Sequence, residues 1–146
     1  MNKREIKFRV WEPLNKNMQY LNFALYENKG QVNHWVLPLD HQCCSDKNYT
    51  IMNLNNVEIM QYIGLKDKDG IEIYEGDILI NTNKSKLNLG MDNQKYLVVY
   101  KTLGFNLKPL FKGMALKFDY DDLKKIGNIY ENPELLNEEE ACLMNN

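Results

Sequence analysis

Ile6, Phe8 and Val10 alternate with Lys7, Arg9 and Trp11 at the start of the chain, the period-2 spacing of a strand with one apolar and one amphipathic face. Pro13-Leu14-Asn15-Lys16-Asn17 interrupts the alternation and Met18-Gln19-Tyr20-Leu21 resumes it, so residues 5–22 read as a β-hairpin with a longer loop. A lone two-stranded hairpin is marginal in water, and this one must pack on further strands or on a neighbouring subunit. From Asn22 to Asn48 the period is lost. Phe23, Leu25, Trp35, Val36 and Leu37 lie scattered among Asn28, Gly30, Asn33, Pro38 and Asp40, which predicts short strands or loops covering a core rather than a helix.

The most regular stretch is MQYIGLKDKDGIEIYEGDILI, Met60 to Ile80. After a short strand at Thr50–Asn55 and a turn at Asn55-Asn56, it gives two β-type runs, Met60–Leu65 and Ile71–Tyr74, around Lys66-Asp67-Lys68-Asp69-Gly70. A third run, Asp77–Ile80, follows the break at Glu75-Gly76. Asp69-Gly70 is a strong hairpin signal, because Gly accepts positive φ without steric cost and Asp tolerates it better than most residues.

Beyond Ile80, the Asn- and Lys-rich segment Asn81–Asn93 has few apolar anchors and reads as a surface loop, the most mobile part of the chain. Tyr96–Tyr100 has the apolar, β-branched character of a buried strand, and Gly104–Leu107 begins the next. Pro109 argues against a central strand there. Met114–Tyr120 alternates as one more short strand. Asp121-Asp122-Leu123-Lys124-Lys125 places acids first and bases last, the order of a helical turn. Ile126–Tyr130 returns as a strand, ended by Asn132-Pro133. Pro133–Leu143 reads as a short amphipathic helix with Leu135, Leu136, Cys142 and Leu143 on its apolar side.

Three separated strings, REIKFRVWEPLNKNMQYL at the start, QYIGLKDKDGIEIYEGDI in the middle and KKIGNIYENPELL near the end, together resemble the YopX family of bacteriophage and prophage proteins. The resemblance implies an SH3-like β-barrel core and a phage context, and it implies no reaction. With it, the expected fold class is mainly β: an SH3-like β-barrel core with an N-terminal β-hairpin and one or two short helices near the C-terminus. Residues 1–137 form a single YopX-like domain, with the hairpin and irregular cover over 1–50 and the barrel core over 51–137, ahead of an acidic tail at 138–146.

Composition narrows the partners more than the fold. A chain of 146 residues can bury roughly 68–70% of its unfolded surface, so no metal or disulfide is needed for folding. The net charge of −2 is too small to steer a partner over long range. Charge is nevertheless uneven. Lys3, Arg4, Lys7 and Arg9 crowd the start, whereas Glu131, Glu134, Glu138, Glu139 and Glu140 follow the last basic residue, Lys125. That separation fits head-to-tail contact between subunits, with a solvated tail as the simpler reading. Cys43, Cys44 and Cys142 form neither an even framework nor a CxxC pair, which points to a reducing cytosol. The N-terminus has no apolar run of signal-peptide type, and no stretch approaches the ~18–20 apolar residues of a membrane helix. Cytoplasmic residence in the host bacterium is expected.

Candidate chemistry is sparse. Asp67-Lys68-Asp69-Gly70 invites a calcium reading, but Leu65 stands where an EF-hand needs another Asp, and a hairpin turn explains it better. His34, His41, Cys43 and Cys44 have zinc-donor atoms at the wrong spacing, and neither Cys carries a signature of a nucleophile. Asp119, Asp121 and Asp122 are explained as capping acids. No catalytic residue, metal site or cofactor is therefore assigned, and the chain is not read as an enzyme. The expected function is that of an uncharacterised phage or prophage accessory protein acting through self-assembly or by binding a host or phage protein. The alternative is a nucleic-acid-binding module on the basic and aromatic first hairpin, using Arg4, Lys7, Arg9, Trp11, Lys16 and Tyr20. The expected partners are thus copies of the same chain or a host or phage protein, with nucleic acid second and no membrane.

Overall fold

Period-2 alternation and turn-forming residues decide the local hairpins of the structure, a computed structural model that describes residues 5–28, 31–38, 57–82, 94–111 and 120–136. The strands among these are β1 (Phe8–Glu12), β2 (Asn17–Asn28), β3 (Gln31–Pro38), β4 (Glu58–Lys66), β5 (Glu72–Tyr74), β6 (Asp77–Asn81), β7 (Lys95–Lys101), β8 (Gly104–Pro109) and β9 (Leu123–Asn128). Two single 3₁₀ turns, Tyr120–Asp122 and Pro133–Leu135, complete the set. The fold is mainly β with an N-terminal hairpin. The chain divides into two compact units, Met1–Tyr62 and Ile63–Asn146, so the division falls inside β4.

In the first unit, β1 and β2 form the expected antiparallel hairpin, in register from Phe8↔Leu21 to Glu12↔Asn17. The other edge of β1 pairs with the start of β4, from Phe8↔Gln61 to Trp11↔Glu58, and Tyr62 N donates to Lys7 O at 2.9 Å. β1 is thus an interior strand. Both its faces are covered, with Val10 and Arg9 each at 0% exposure, so the open amphipathic face expected from the alternation is not there. β2 continues far past residue 22 and pairs with β3 from Leu21↔Pro38 to Asn28↔Gln31, a longer and more regular ladder than the scattered apolar pattern suggests. The strand expected at 50–55 lies outside the described residues.

In the second unit, the end of β4 turns back into β5 through Asp67–Gly70. Asp67 N donates to Ile71 O at 2.8 Å, Gly70 N donates to Asp67 O at 2.9 Å, and Gly70 sits at φ 82°. Only Gly70 uses the left-handed region, as the Asp-Gly signal predicts. At the following Glu75-Gly76 break, Tyr74 N donates to the Asp77 carboxylate at 2.8 Å. A four-stranded sheet of order β8-β7-β6-β9 follows, all antiparallel. Its register slips between Ile78 and Leu79, leaving Ile126 as the extra residue of a β-bulge on β9. β8, which carries Pro109, is an edge strand, as proline requires. Among the described residues β8 and β9 are not paired with each other, so this sheet is partly open.

The core of this unit is Ile73, Leu79, Tyr96, Val98 and Leu123, with Ile63, Leu107 and Phe111 packed against it. Each fully buried aliphatic side chain contributes about 1.5–3 kcal/mol. Tyr96 meets Phe111 edge-on at 5.4 Å between ring centroids, and its hydroxyl donates to Gln94 Oε1 at 3.0 Å. Burial pushes the Tyr96 phenol above its usual pKa.

The described residues contain no α-helix, which corrects both helical expectations near the C-terminus. The turn expected at Asp121–Lys125 is 3₁₀ and ends at Asp122, where the carbonyl accepts from both Thr82 N (2.9 Å) and Thr82 Oγ1 (2.6 Å). Lys124 and Lys125 enter β9 because pairing with Ile80 and Leu79 outweighs the favourable charge order of a helix. At Pro133 the helix stops after one 3₁₀ turn. Asn132, in the N-cap position, makes no side-chain cap; its Oδ1 instead accepts from Asn128 N at 3.3 Å. Gly127 makes room for this turn, since a Cβ there would run into Asn132 and Leu135. The expected surface loop from 83 onward, the strand at 114–119 and the tail beyond 136 lie outside the described residues.

One ion pair ties the unit together. Asp77, fully buried, meets Lys125 Nζ at 3.0 Å. Removing one partner leaves a buried charge uncompensated, which costs about 3–5 kcal/mol. Lys125→Met is therefore expected to lower unfolding stability by about that amount in urea titrations, whereas Lys124→Met, at a half-exposed pair with Asp69 (3.1 Å), changes it by less than about 1 kcal/mol.

Candidate functional site

The core residues of the second unit do not close over themselves. Ile73, Leu79, Val98 and Leu123 also form the floor of an open groove of about 560 Å³. Ile63 and Leu65, two residues apart on β4 and therefore on one face, make one wall together with Lys66. Phe105, Asn106 and Leu107 of β8 make a second wall, and Tyr120 and Asp121 of the 3₁₀ turn make a third. Leu65 and Tyr120 stand largely exposed at the rim. The chemistry is that of an apolar recess edged by one cation, one carboxylate and one amide. No nucleophile and base are brought together there, and the recess suits an apolar side chain or segment.

The loop that invited a calcium reading is engaged within the fold. Asp67 Oδ1 accepts from Asp69 N and Ile71 N, both at 2.9 Å, and Oδ2 accepts from Lys125 N at 3.0 Å. Asp69 pairs with Lys124. Lys68 N adds a bond to Leu123 O at 3.0 Å, so the whole turn is fastened to the edge of β9. The hairpin-turn reading holds, and its organiser is Asp67, a residue the Asp-Gly signal did not single out. Among the described residues no three His, Cys, Asp or Glu side chains approach closely enough to hold a metal ion. Of the other metal candidates, His41, Cys43 and Cys44 lie outside the described residues, and His34 is placed only as a position on β3.

The six residues of the expected nucleic-acid cluster do not share one open surface. Arg9 and Trp11 are buried, because β1 is covered on both sides. Lys7 is one-third exposed, pairs with Glu5 at 2.9 Å and lies 5.5 Å from the centroid of the Tyr62 ring. Lys16, at φ 50° in the β1–β2 loop, and Tyr20 are exposed. Arg4 lies outside the described residues. The groove was not legible in the sequence. Its lining comes from six strands and a turn, and only the apolar parity of Ile63 and Leu65 hinted at it.

Burial raises the pKa of Asp67, but the backbone N–H groups of Lys125, Ile71 and Asp69 and the nearby Lys124 charge outweigh this and hold it below the ordinary 3.8. A carboxyl depressed in the folded state contributes stability that is complete above its unfolded value and is lost as pH falls through the folded one. Asp67→Asn is expected to cost about 1–3 kcal/mol at neutral pH. It should also remove part of the stability loss that the parent protein shows between pH 5 and the acid side of pH 3.8. Urea midpoints measured across that range check both.

Comparison with known proteins places this geometry. The model of the family described as YopX protein matches residues 7–137. Among solved structures, the crystal structure of protein EF1440 from Enterococcus faecalis is similar at a TM-score of 0.62 and 27% sequence identity, covering 92% of this chain and 100% of that one. No curated protein matches the chain.

Proposed function

The chain belongs to the YopX family of phage proteins, and from that premise we propose that it is a phage or prophage accessory protein that works by binding, assembling with copies of itself or with a host or phage protein. The observation that carries this reading is the groove whose floor is the core itself. Ile73, Leu79, Val98 and Leu123 face an open recess, and a protein surface that fills it gains the same apolar burial that stabilises the unit. A catalytic role has no comparable support, since the carboxylates at Asp67 and Asp77 are used to fasten strands.

We read the second unit as an SH3-like barrel left open on one side. The β6–β7–β8 meander, followed by a 3₁₀ turn and a strand that returns to pair with β6, supports this. Residence in the host cytoplasm accords with a phage accessory role, and among the described residues no helix is long and apolar enough to cross a membrane. The alternative, a nucleic-acid module on the first hairpin, rests on Lys7, Lys16 and Tyr20, the described members of that cluster with accessible side chains.

Light scattering across a dilution series from high to low micromolar concentration is the direct test. Mass above that of one chain, falling on dilution, is the expected result. A single-chain mass throughout removes the self-assembly reading and leaves the foreign partner. Nucleic-acid binding instead requires affinity at low salt that falls steeply as salt is raised.

A further inference from the structure

The β7–β8 hairpin turns on two residues, Thr102 and Leu103, between the paired Lys101 and Gly104. Thr102 has φ 41°, in the left-handed region where a β-branched side chain is an outlier and where a turn of this kind normally places glycine at its first central position. The apex this strained backbone presents is apolar. Leu103 is 98% exposed and Tyr100 60% exposed, and Tyr100 is braced edge-on against Phe105 at 5.3 Å. A single exposed leucine is ordinary. A leucine at the apex of a strained turn, propped by an aromatic pair where Gly, Asn or Asp would form the turn without strain, needs a reason.

Phe105 supplies the reason, because it belongs to two features at once. It stacks on Tyr100 at the tip, and it also lines the apolar groove. Tip and groove therefore adjoin on the second unit. Their charges are complementary: Lys101 is the tip's one ionic group, and the 3₁₀ wall of the groove carries Asp121 and Asp122 with no basic residue. We propose that the hairpin tip of one copy seats in the groove of a second copy, with Leu103 as the apolar anchor and Lys101 facing Asp121. Lys66 on the β4 wall repels Lys101 and fixes its side of the groove. Because the knob and the recess share Phe105, a two-fold axis beside that residue lets each copy fill the other, giving a closed dimer rather than an open chain. The contact rests on the self-assembly reading above and specifies its site.

The test uses the full chain in sedimentation equilibrium. Leu103→Asp alters the tip and Leu65→Glu alters the groove rim. Both positions are exposed, and unchanged melting verifies that the variants fold. Because two-fold symmetry places the change in both contacts, each variant alone is expected to weaken dimerisation about a thousandfold, the effect of losing two central anchors at about thirtyfold each. Mixing the two variants restores one intact contact, from the Leu103 of the groove variant into the groove of the tip variant, and with it part of the affinity. Lys101→Glu weakens association, and adding Asp121→Lys to it restores association, which a purely structural role for either residue would not produce. A parent protein that remains monomeric overturns self-assembly itself. A parent protein that dimerises while these variants dimerise equally well overturns the tip-in-groove contact and leaves self-assembly standing. Mass that grows without limit on concentration overturns the two-fold arrangement.

Discussion

A pair of buried acids fastened to one short strand holds the second unit in shape. Asp67 accepts the backbone N–H of Lys125 from fifty-eight residues away, and Asp77 holds the Lys125 side chain from inside the core. Closing so long a stretch of chain has an entropic cost that depends only weakly on its length, and a few well-made bonds can therefore offset it. Each carboxylate does two jobs. Asp67 also closes its own turn through Asp69 N and Ile71 N, and Asp77 also accepts Tyr74 N across the Glu75-Gly76 break. Local turn geometry and long-range closure thus depend on the same two carboxylates, which makes the hairpin and β9 one cooperative element.

That double use explains what the family-resembling strings encode. KDKDG, YEGD and KKIGNIYENP lie apart in the sequence and meet in space: Lys68 N with Leu123 O, Ile129 N with Gly76 O, and Asp67 and Asp77 with Lys125. Asn128 continues the pattern, its Oδ1 accepting from Tyr130 N and Glu131 N while Gly127 lets Asn132 lie close. Asp67, Asp69, Asp77, Lys124 and Lys125 in these strings are therefore accounted for as fasteners. They mark the fold and leave the question of activity to the surfaces they hold in place.

What the sequence could foretell follows the range of the interactions involved. The β1–β2 hairpin, the Asp69-Gly70 turn, the strand at Tyr96–Tyr100 and the edge position implied by Pro109 each depend on neighbours a few residues away, and each is present, although only Tyr96–Val98 of that strand are buried. The failures depend on distant partners. Arg9 and Trp11 alternate like residues of a half-open strand, yet pairing with β4, from beyond residue 57, makes β1 an interior strand, and both side chains are buried. Lys124 and Lys125 sit in a favourable charge order for a helix, yet β6 recruits them into a ladder. A helix dipole contributes about 0.3–1 kcal/mol per charge, less than a strand of paired backbone and a buried ion pair together. The groove depended most on distant partners, since seven separate elements contribute to it and no local period records their convergence.

An open core is the consequence of the same fastening. Because Asp67 and Asp77 fix β4, β5, β6 and β9 from one side, the sheet need not close through β8 to be stable, and β8 is left as an edge with Phe105 and Leu107 facing a recess rather than a neighbour. An unfilled apolar recess loses the dispersion contacts that a packed interior makes on every side. A sequence under no constraint but stability would fill it with a larger residue at Val98 or at Asn106. Keeping small and polar residues at those two lining positions preserves the volume of the recess, and the strained apex at Thr102 keeps an apolar side chain available beside it. The recess and the apex each give up stability in the isolated chain. In the tip-in-groove arrangement proposed above, both losses are recovered together.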